Sequence, residues 1–267
     1  MGADGARQRA EAAESRLAPG LWLVATPIGN AGDVTLRALD ILARADAIAA
    51  EDTRRARRLM ELHGVALAGR PVIRYDDHAG PAARPGLLAR LDAGESVALV
   101  SDAGTPMVAD PGWRLAREAI AAGAAVRAAP GASAALAALA VSGLPSDRFL
   151  FAGFPPSKPG ERSRFLAELA AIPATLVLYE SAKRLGDSLA AMRAALGDRE
   201  AAVCRELTKL HEETRRGRLS TLEAGYAGAP APRGEIVVVI GPPEAAPAGP
   251  EEIDAALRDA LAARSVR

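Results

Sequence analysis

From Leu21 onward the chain alternates short apolar runs with stretches in which apolar residues return every three or four positions. Short apolar runs bounded by Gly and Pro read as buried strands, and the 3.6-residue period reads as amphipathic helix. The pattern predicts strands near 21–26, 46–50, 71–75, 96–101 and 125–129, and helices near 35–44, 53–63, 80–92, 112–122 and 132–142. Such alternation implies a mostly parallel sheet with helices on both faces. Ser142-Gly143-Leu144-Pro145-Ser146-Asp147 interrupts the pattern and reads as a hinge. Beyond it, apolar runs at 149–153, 174–179, 201–207 and 235–240 accompany helices near 161–171 and 184–196. An alternating stretch over 211–218 reads as an antiparallel strand, and 221–226 as a short helix. The expected class is therefore α/β: a parallel-sheet N-terminal domain over 19–145 and a mixed-sheet C-terminal domain over 146–241. Residues 1–18 read as a disordered tail. Residues 242–267 read as a Pro/Ala linker and a short helix carrying Ile253, Leu257 and Leu261.

Three of the connections in the first half are unusual. Thr26-Pro27-Ile28-Gly29-Asn30 follows the first strand and Ser101-Asp102-Ala103-Gly104-Thr105-Pro106 the fourth. Pro130-Gly131-Ala132-Ser133-Ala134 follows the fifth. In open α/β sheets ligands bind at the carboxyl ends of strands. Proline stiffens such a loop and glycine lets its backbone approach a ligand closely. Neither G-x-G-x-x-G nor G-x-x-x-x-G-K-[ST] occurs, which argues against a dinucleotide fingerprint and a P-loop. A small ligand held largely by backbone groups is the expectation, lying in a cleft between the two domains.

Composition narrows the partners. The 267 residues are 49% hydrophobic and carry a formal net charge of +0, so a polyanion must be met by a local patch rather than a global field. The single cysteine, Cys204, cannot form an internal disulfide, which fits a reducing compartment. With three histidines and no cysteine cluster, no metal site is expected. No apolar run is long enough to span a bilayer and no signal-peptide core opens the chain, so a cytoplasmic protein without membrane attachment is expected. Of the 33 basic residues only Lys158, Lys183 and Lys209 are lysine. Where arginine is the default, a surviving lysine is either chance or a demand for a compact ammonium.

Glu51-Asp52-Thr53-Arg54-Arg55 opens a helix directly after a strand, with Asp52 or Thr53 as N-cap. Capping explains the acids but not the arginines. Arg54, Arg55, Arg57 and Arg58 form either a solvated helix face or a patch for a phosphate backbone. His78, in Tyr75-Asp76-Asp77-His78, is either a base or a surface loop residue. In the second half, Tyr179-Glu180-Ser181-Ala182-Lys183-Arg184 and Arg205-Glu206-Leu207-Thr208-Lys209 end strands, and Arg233-Gly234-Glu235 begins the last. These acid-plus-base groups suggest a second wall facing the three loops.

Taken in order, these segments resemble one family, together with Asp110-Pro111-Gly112 and Gly143-Leu144-Pro145-Ser146-Asp147-Arg148-Phe149. It is that of the bacterial small-subunit ribosomal RNA (cytidine-2′-O)-methyltransferases, within the tetrapyrrole methylase superfamily. The resemblance covers about residues 20–241. It implies S-adenosylmethionine held between two α/β domains, a homodimer, and a target cytidine ribose in the decoding region of the small ribosomal subunit. It also implies cofactor contacts at Thr105, Val108, Ser133, Ala134, Tyr179, Ala202 and Gly234, with Thr26, Pro27 and Asp102 beside them. For proton transfer the clustering at strand ends points to Asp102 or Glu180. Lys209 or Lys183 would then acidify the hydroxyl or hold a phosphate. The RNA backbone would meet Arg54, Arg55, Arg57 and Arg58. The nearest alternative is a tetrapyrrole C-methyltransferase of the same superfamily. A ribosome-assembly factor without chemistry would carry degraded cofactor loops, and these are intact.

Overall fold

A computed structural model of the chain describes residues 16–109, 112–228, 230–244 and the single position 258. Residues 1–15 of the tail expected over 1–18, most of the linker and the helix carrying Ile253, Leu257 and Leu261 lie outside the described residues, whereas Leu17 is buried in the core of the first sheet and Arg16 pairs with Asp46.

The first sheet has the order β3-β2-β4-β1-β5 and is parallel throughout. Its strands are β1 (Gly20–Val24), β2 (Ala47–Ala50), β3 (Val72–Arg74), β4 (Ser96–Val100) and β5 (Val126–Ala129). Because helices cover both faces, its central strands read as continuous apolar runs, and every residue of β2 and β4 is buried. Alternate side chains divide between the faces. Trp22, Val24, Ile48 and Val100 meet helices α1 (Leu36–Arg44) and α2 (Thr53–Leu62). Leu21, Ala47, Ala49 and Leu99 meet α3 (Gly80–Asp92) and α4 (Trp113–Ala121). Thr35 caps α1 by accepting from the Ala38 N–H, and Asp52 caps α2 by accepting from the Arg54 N–H at 2.8 Å.

The second sheet has the order β6-β7-β10-β8-β9. Its strands are β6 (Phe149–Gly153), β7 (Thr175–Ser181), β8 (Glu200–Arg205), β9 (Glu213–Arg218) and β10 (Glu235–Ile240). Only β6 and β7 pair in parallel, so the sheet is mixed, and β9 runs antiparallel to β8 as its alternation implied. Helices α6 (Pro159–Leu169), α7 (Leu185–Leu196) and α8 (Leu219–Tyr226) cover one face. The other face is covered by α5 (Ala134–Ser142), whose Ala135, Ala138 and Leu139 pack on Val177, Ala202, Cys204, Val237 and Val239. The sequence places the division at residue 145, yet in the packing α5 already belongs to the second sheet. Its composition, apolar on every side, suits a helix wedged between the two halves.

Candidate active site

The three unusual loops meet at the carboxyl edge of the first sheet and are fastened to one another. Thr26 and Gly104 exchange backbone hydrogen bonds of 2.9 and 3.0 Å, and the Thr26 hydroxyl donates to the Ser101 carbonyl. The Thr105 hydroxyl donates to the Ala132 carbonyl at 3.0 Å, tying the loop after β4 to the loop after β5. Gly131 sits so close to the first loop that a Cβ there would lie 2.8 Å from Ala25 Cβ. Met107 and Ala109 adopt φ of 72° and 63°, in the left-handed region where side chains are strained. Strain of this kind, held by a surrounding network, is a feature of ligand-binding loops.

Between these loops and the second sheet lies a cleft of about 410 Å³, within the range of small-molecule sites. Thr105, Val108, Ser133 and Ala134 line it from the first side, and Tyr179 and Gly234 from the second. Small side chains leave backbone groups exposed, while Tyr179 and Phe154, in edge contact at 5.4 Å, supply an aromatic wall. This suits an adenosyl group with an amino-acid tail better than a phosphate-rich ligand. Cys204, in the floor, is a buried thiol whose pKa burial pushes up, in keeping with a structural side chain.

A second cleft of about 310 Å³ adjoins the first and shares Ile28, Ala103 and Glu235 with it. Thr26, Pro27, Asp102, Arg55, Arg58 and Lys209 line this one. The ends of β2 and β4 hold each other there: the Asp52 N–H donates to Asp102 Oδ1 at 2.9 Å and the Asp102 N–H to Glu51 at 3.3 Å. Arg55 lies 3.5 Å from Asp102 Oδ2. Lys209 Nζ donates to Glu206 at 2.7 Å and to Glu235 at 2.8 Å. Burial lowers the Lys209 pKa, but these two carboxylates outweigh it and leave a net rise, so the ammonium stays charged.

Lys209 sits on a loop built for it. Glu206 and Thr208 adopt φ of 52° and 66°. The Glu206 carboxyl presses against Gly234, where a Cβ would lie 2.3 Å from it and φ is 100°, so a side chain at that position is strained. The Thr208 hydroxyl accepts from the Asn30 N–H at 3.1 Å, and the Lys209 stem packs on Gly29, joining the two halves beside the cleft.

Of the remaining expected residues only Glu180 borders one of the paired clefts, the larger one. The Glu180 side chain is fully buried and its carboxylate is occupied by the Ser181 N–H, the Ser188 hydroxyl and Arg184. It fixes the end of β7 to the start of α7. Lys183 lines a separate cavity with Tyr226 and Glu223, which borders the larger cleft at Ala182, but Lys183 itself lines neither of the paired clefts. Ala202 is fully buried between α5 and the second sheet and reaches neither cleft. Arg54 and Arg57 are exposed on α2, Arg54 paired with Asp52, whose carboxyl it holds well below the usual range. His78 is exposed in its loop, where its N–H donates to Asp76. Phe154 is not singled out by sequence alone, although Gly153-Phe154-Pro155 after a strand was an available signal. Glu206 enters the sequence reading only as the acid of the Arg205–Lys209 group, and its role is defined by its contacts with Lys209 and Gly234.

The family model of tetrapyrrole (corrin/porphyrin) methylases matches residues 20–223. A curated relative from Mesorhizobium japonicum, named ribosomal RNA small subunit methyltransferase I, is 55% identical over 89% of this chain and 80% of its own length. Another of that name, from Erythrobacter litoralis, is 51% identical over 92% of this chain and 85% of its own. Among solved structures, a diphthine synthase superposes with a TM-score of 0.63 at 19% identity, covering 83% of this chain and 89% of that one. A uroporphyrin-III C-methyltransferase from Thermus thermophilus gives 0.57 at 24% identity, covering 82% and 93%. These two likenesses speak for the fold. With the family model spanning the first sheet and all of the second but β10, and relatives more than half identical along nearly the whole chain, the protein belongs to the tetrapyrrole methylase family and, within it, to the methyltransferases named ribosomal RNA small subunit methyltransferase I.

Proposed function

We propose that the protein methylates the 2′-oxygen of a cytidine ribose in the decoding region of small-subunit ribosomal RNA, acting as a cytoplasmic homodimer. One observation carries this reading: a cleft lined by Arg55, Arg58, Asp102 and Lys209 opens directly into the apolar, backbone-rich cleft that fits the methyl donor. The names of the relatives support the RNA, and the resemblance of the chain supports the cytidine and the dimer. Among the described residues no helix is long and apolar enough to cross a membrane.

The methyl donor is S-adenosylmethionine, which supplies an electrophilic methyl group when bound. Residues Thr105, Val108, Ser133, Ala134, Tyr179 and Gly234 hold it in the larger cleft. The chain's own task is to present a ribose hydroxyl to that cleft through the shared boundary at Ile28 and Ala103. Positioning of this kind supplies several kcal/mol, up to about 7–11 in ideal systems. Asp102 accepts the hydroxyl proton, since its carboxylate faces the charged cleft, whereas the Glu180 carboxylate is consumed by its own partners. The Lys209 ammonium stabilises the developing alkoxide or an adjacent phosphate, and Arg55 and Arg58 take the RNA backbone, with Arg54 and Arg57 on the outer face of α2.

Methyl transfer from labelled S-adenosylmethionine to unmodified rRNA and to assembled small subunits, followed by nuclease mapping, tests the reading. Label on one cytidine 2′-oxygen is expected. Transfer to a corrinoid or porphyrin precursor, with none to RNA, overturns it.

A further inference from the structure

The loop that follows β4 faces two ways. Its Thr105 and Val108 line the cofactor cleft, whereas Gly112 and Trp113, where it enters α4, line a separate cavity of about 290 Å³. Trp113 is 51% exposed. The guanidinium carbons of Arg117 and Arg114 lie over its indole, 4.9 and 5.4 Å from the ring centre. Among the described residues neither arginine forms an ion pair or a side-chain hydrogen bond.

The opposite wall is fixed and acidic. The Arg84 guanidinium is engaged by the Tyr75 hydroxyl and by Glu118, and Asp76 by Arg74 and two backbone N–H groups. Asp76 and Asp77 make that wall hostile to a phosphate. A nucleic acid entering here must therefore run its backbone along Arg114 and Arg117 and turn a base toward the indole. Single-stranded RNA is recognised in this manner, by bases stacked on aromatic rings and guanidinium planes. The position fits as well. Helices α2 and α4 cover opposite faces of the first sheet. Arg55 and Arg58, in the first two turns of α2, and Trp113, the first residue of α4, thus lie toward opposite faces of the same sheet at its carboxyl edge.

We propose that Trp113, with Arg114 and Arg117, forms a stacking platform for an unpaired base of the RNA beside the methylated nucleotide. The proposal rests on the functional reading above and adds a second RNA-binding surface to it.

Trp113 supplies its own probe. The other tryptophan, Trp22, is buried, with its indole N–H donating to the Ala18 carbonyl, and gives a constant background. Titrating the full chain with unmodified small-subunit rRNA should quench tryptophan emission in the wild type, and the quench should vanish in Trp113→Phe. Trp113→Ala should weaken RNA binding about 5- to 100-fold, the range expected for loss of one base stack. Trp113→Phe, which keeps a ring, should recover most of the affinity. Affinity for S-adenosylmethionine and the melting temperature should match wild type in each variant, which separates loss of the stack from loss of the fold. Wild-type RNA affinity in Trp113→Ala, while the wild type methylates rRNA, overturns the platform and leaves the functional reading standing. Dissociation of a dimer by Trp113→Ala at unchanged RNA affinity assigns the surface to a second copy and also overturns it. A wild type that neither binds nor methylates rRNA removes both.

Discussion

The two adjoining clefts share Ile28, Ala103 and Glu235 and are both largely apolar, but differ in the charged side chains they present. The larger is lined mainly by alanine, serine, valine, isoleucine and aromatic side chains, with Glu180 and Glu235 at its border, and two residues of its loops, Met107 and Ala109, are strained. The smaller adds Arg55, Arg58, Asp102 and Lys209 to apolar residues such as Leu59 and Leu62, with Arg55 paired to Asp102 and Lys209 to Glu206 and Glu235. A cofactor that is always the same molecule is well served by a rigid backbone mould. A large, charged, movable substrate is better met by long side chains that exchange one partner for another. Damage should differ accordingly: in the first cleft it should appear as lower cofactor affinity or stability, and in the second as a lower rate or an altered salt dependence.

The largest expected effect belongs to the charged cleft. Asp102→Asn keeps an oxygen to accept from the Asp52 N–H but removes the base. Single-turnover methyl transfer should fall by about 10²–10⁴, the usual worth of general base catalysis, while cofactor affinity stays near wild type. Glu180→Ala should act on stability instead. It strands Arg184 and Ser188 beside an empty site, and loss of one partner of a buried pair costs about 3–5 kcal/mol, the lower end applying here because Arg184 is partly exposed. Urea denaturation measures it. Gly234→Ala forces a Cβ against the Glu206 carboxyl at φ of 100°, with a strain of about 1–2 kcal/mol. Calorimetry should show cofactor binding weakened about tenfold. Arg55→Glu with Arg58→Glu should flatten the salt dependence of RNA binding by about 0.7–0.9 in log–log slope for each phosphate no longer neutralised, and leave cofactor affinity unchanged.

The smallest effect concerns Glu51, whose Oε2 accepts from the Asp102 N–H behind the charged cleft. Burial raises its pKa above 4.5, the neighbouring charges of Asp102, Asp76 and Asp77 add to this, and the Asp102 N–H opposes it. A raised carboxyl pKa means that the fold favours the protonated form. Its contribution is fully present below pH 4.5 and lost as pH rises through the folded value. Glu51→Gln, which cannot ionise, should therefore melt slightly higher than wild type at neutral pH. The difference should disappear below pH 4.5, as followed by thermal melts across pH.

Much of this arrangement is legible one residue at a time. Period and punctuation identify the strands because a parallel sheet covered on both faces demands continuous apolar runs such as Ser96–Val100. Gly, Pro and hydroxyl residues at Thr26, Gly104 and Gly131 mark ligand loops because only such residues tolerate the close backbone approaches found there. Local pattern is less informative about α5, whose alanines suit several packings. It also cannot separate Asp102 from Glu180, since each is an acid at the end of a strand with a basic residue nearby.

The sequence by itself determined the class of fold, the order of its elements, the three loops and the family, because each depends on residue type and local spacing. Only the tertiary structure decided which side chains share a cleft. It withdrew Glu180 into a buried ion pair, turned Lys183 into another cavity, and sank Ala202 beneath α5. It also brought Asp102, Arg55 and Lys209 together from three distant segments. Those choices depend on how two sheets pack across a helix, and the meeting of residues 102 and 209 at one cleft leaves no periodic trace along the chain.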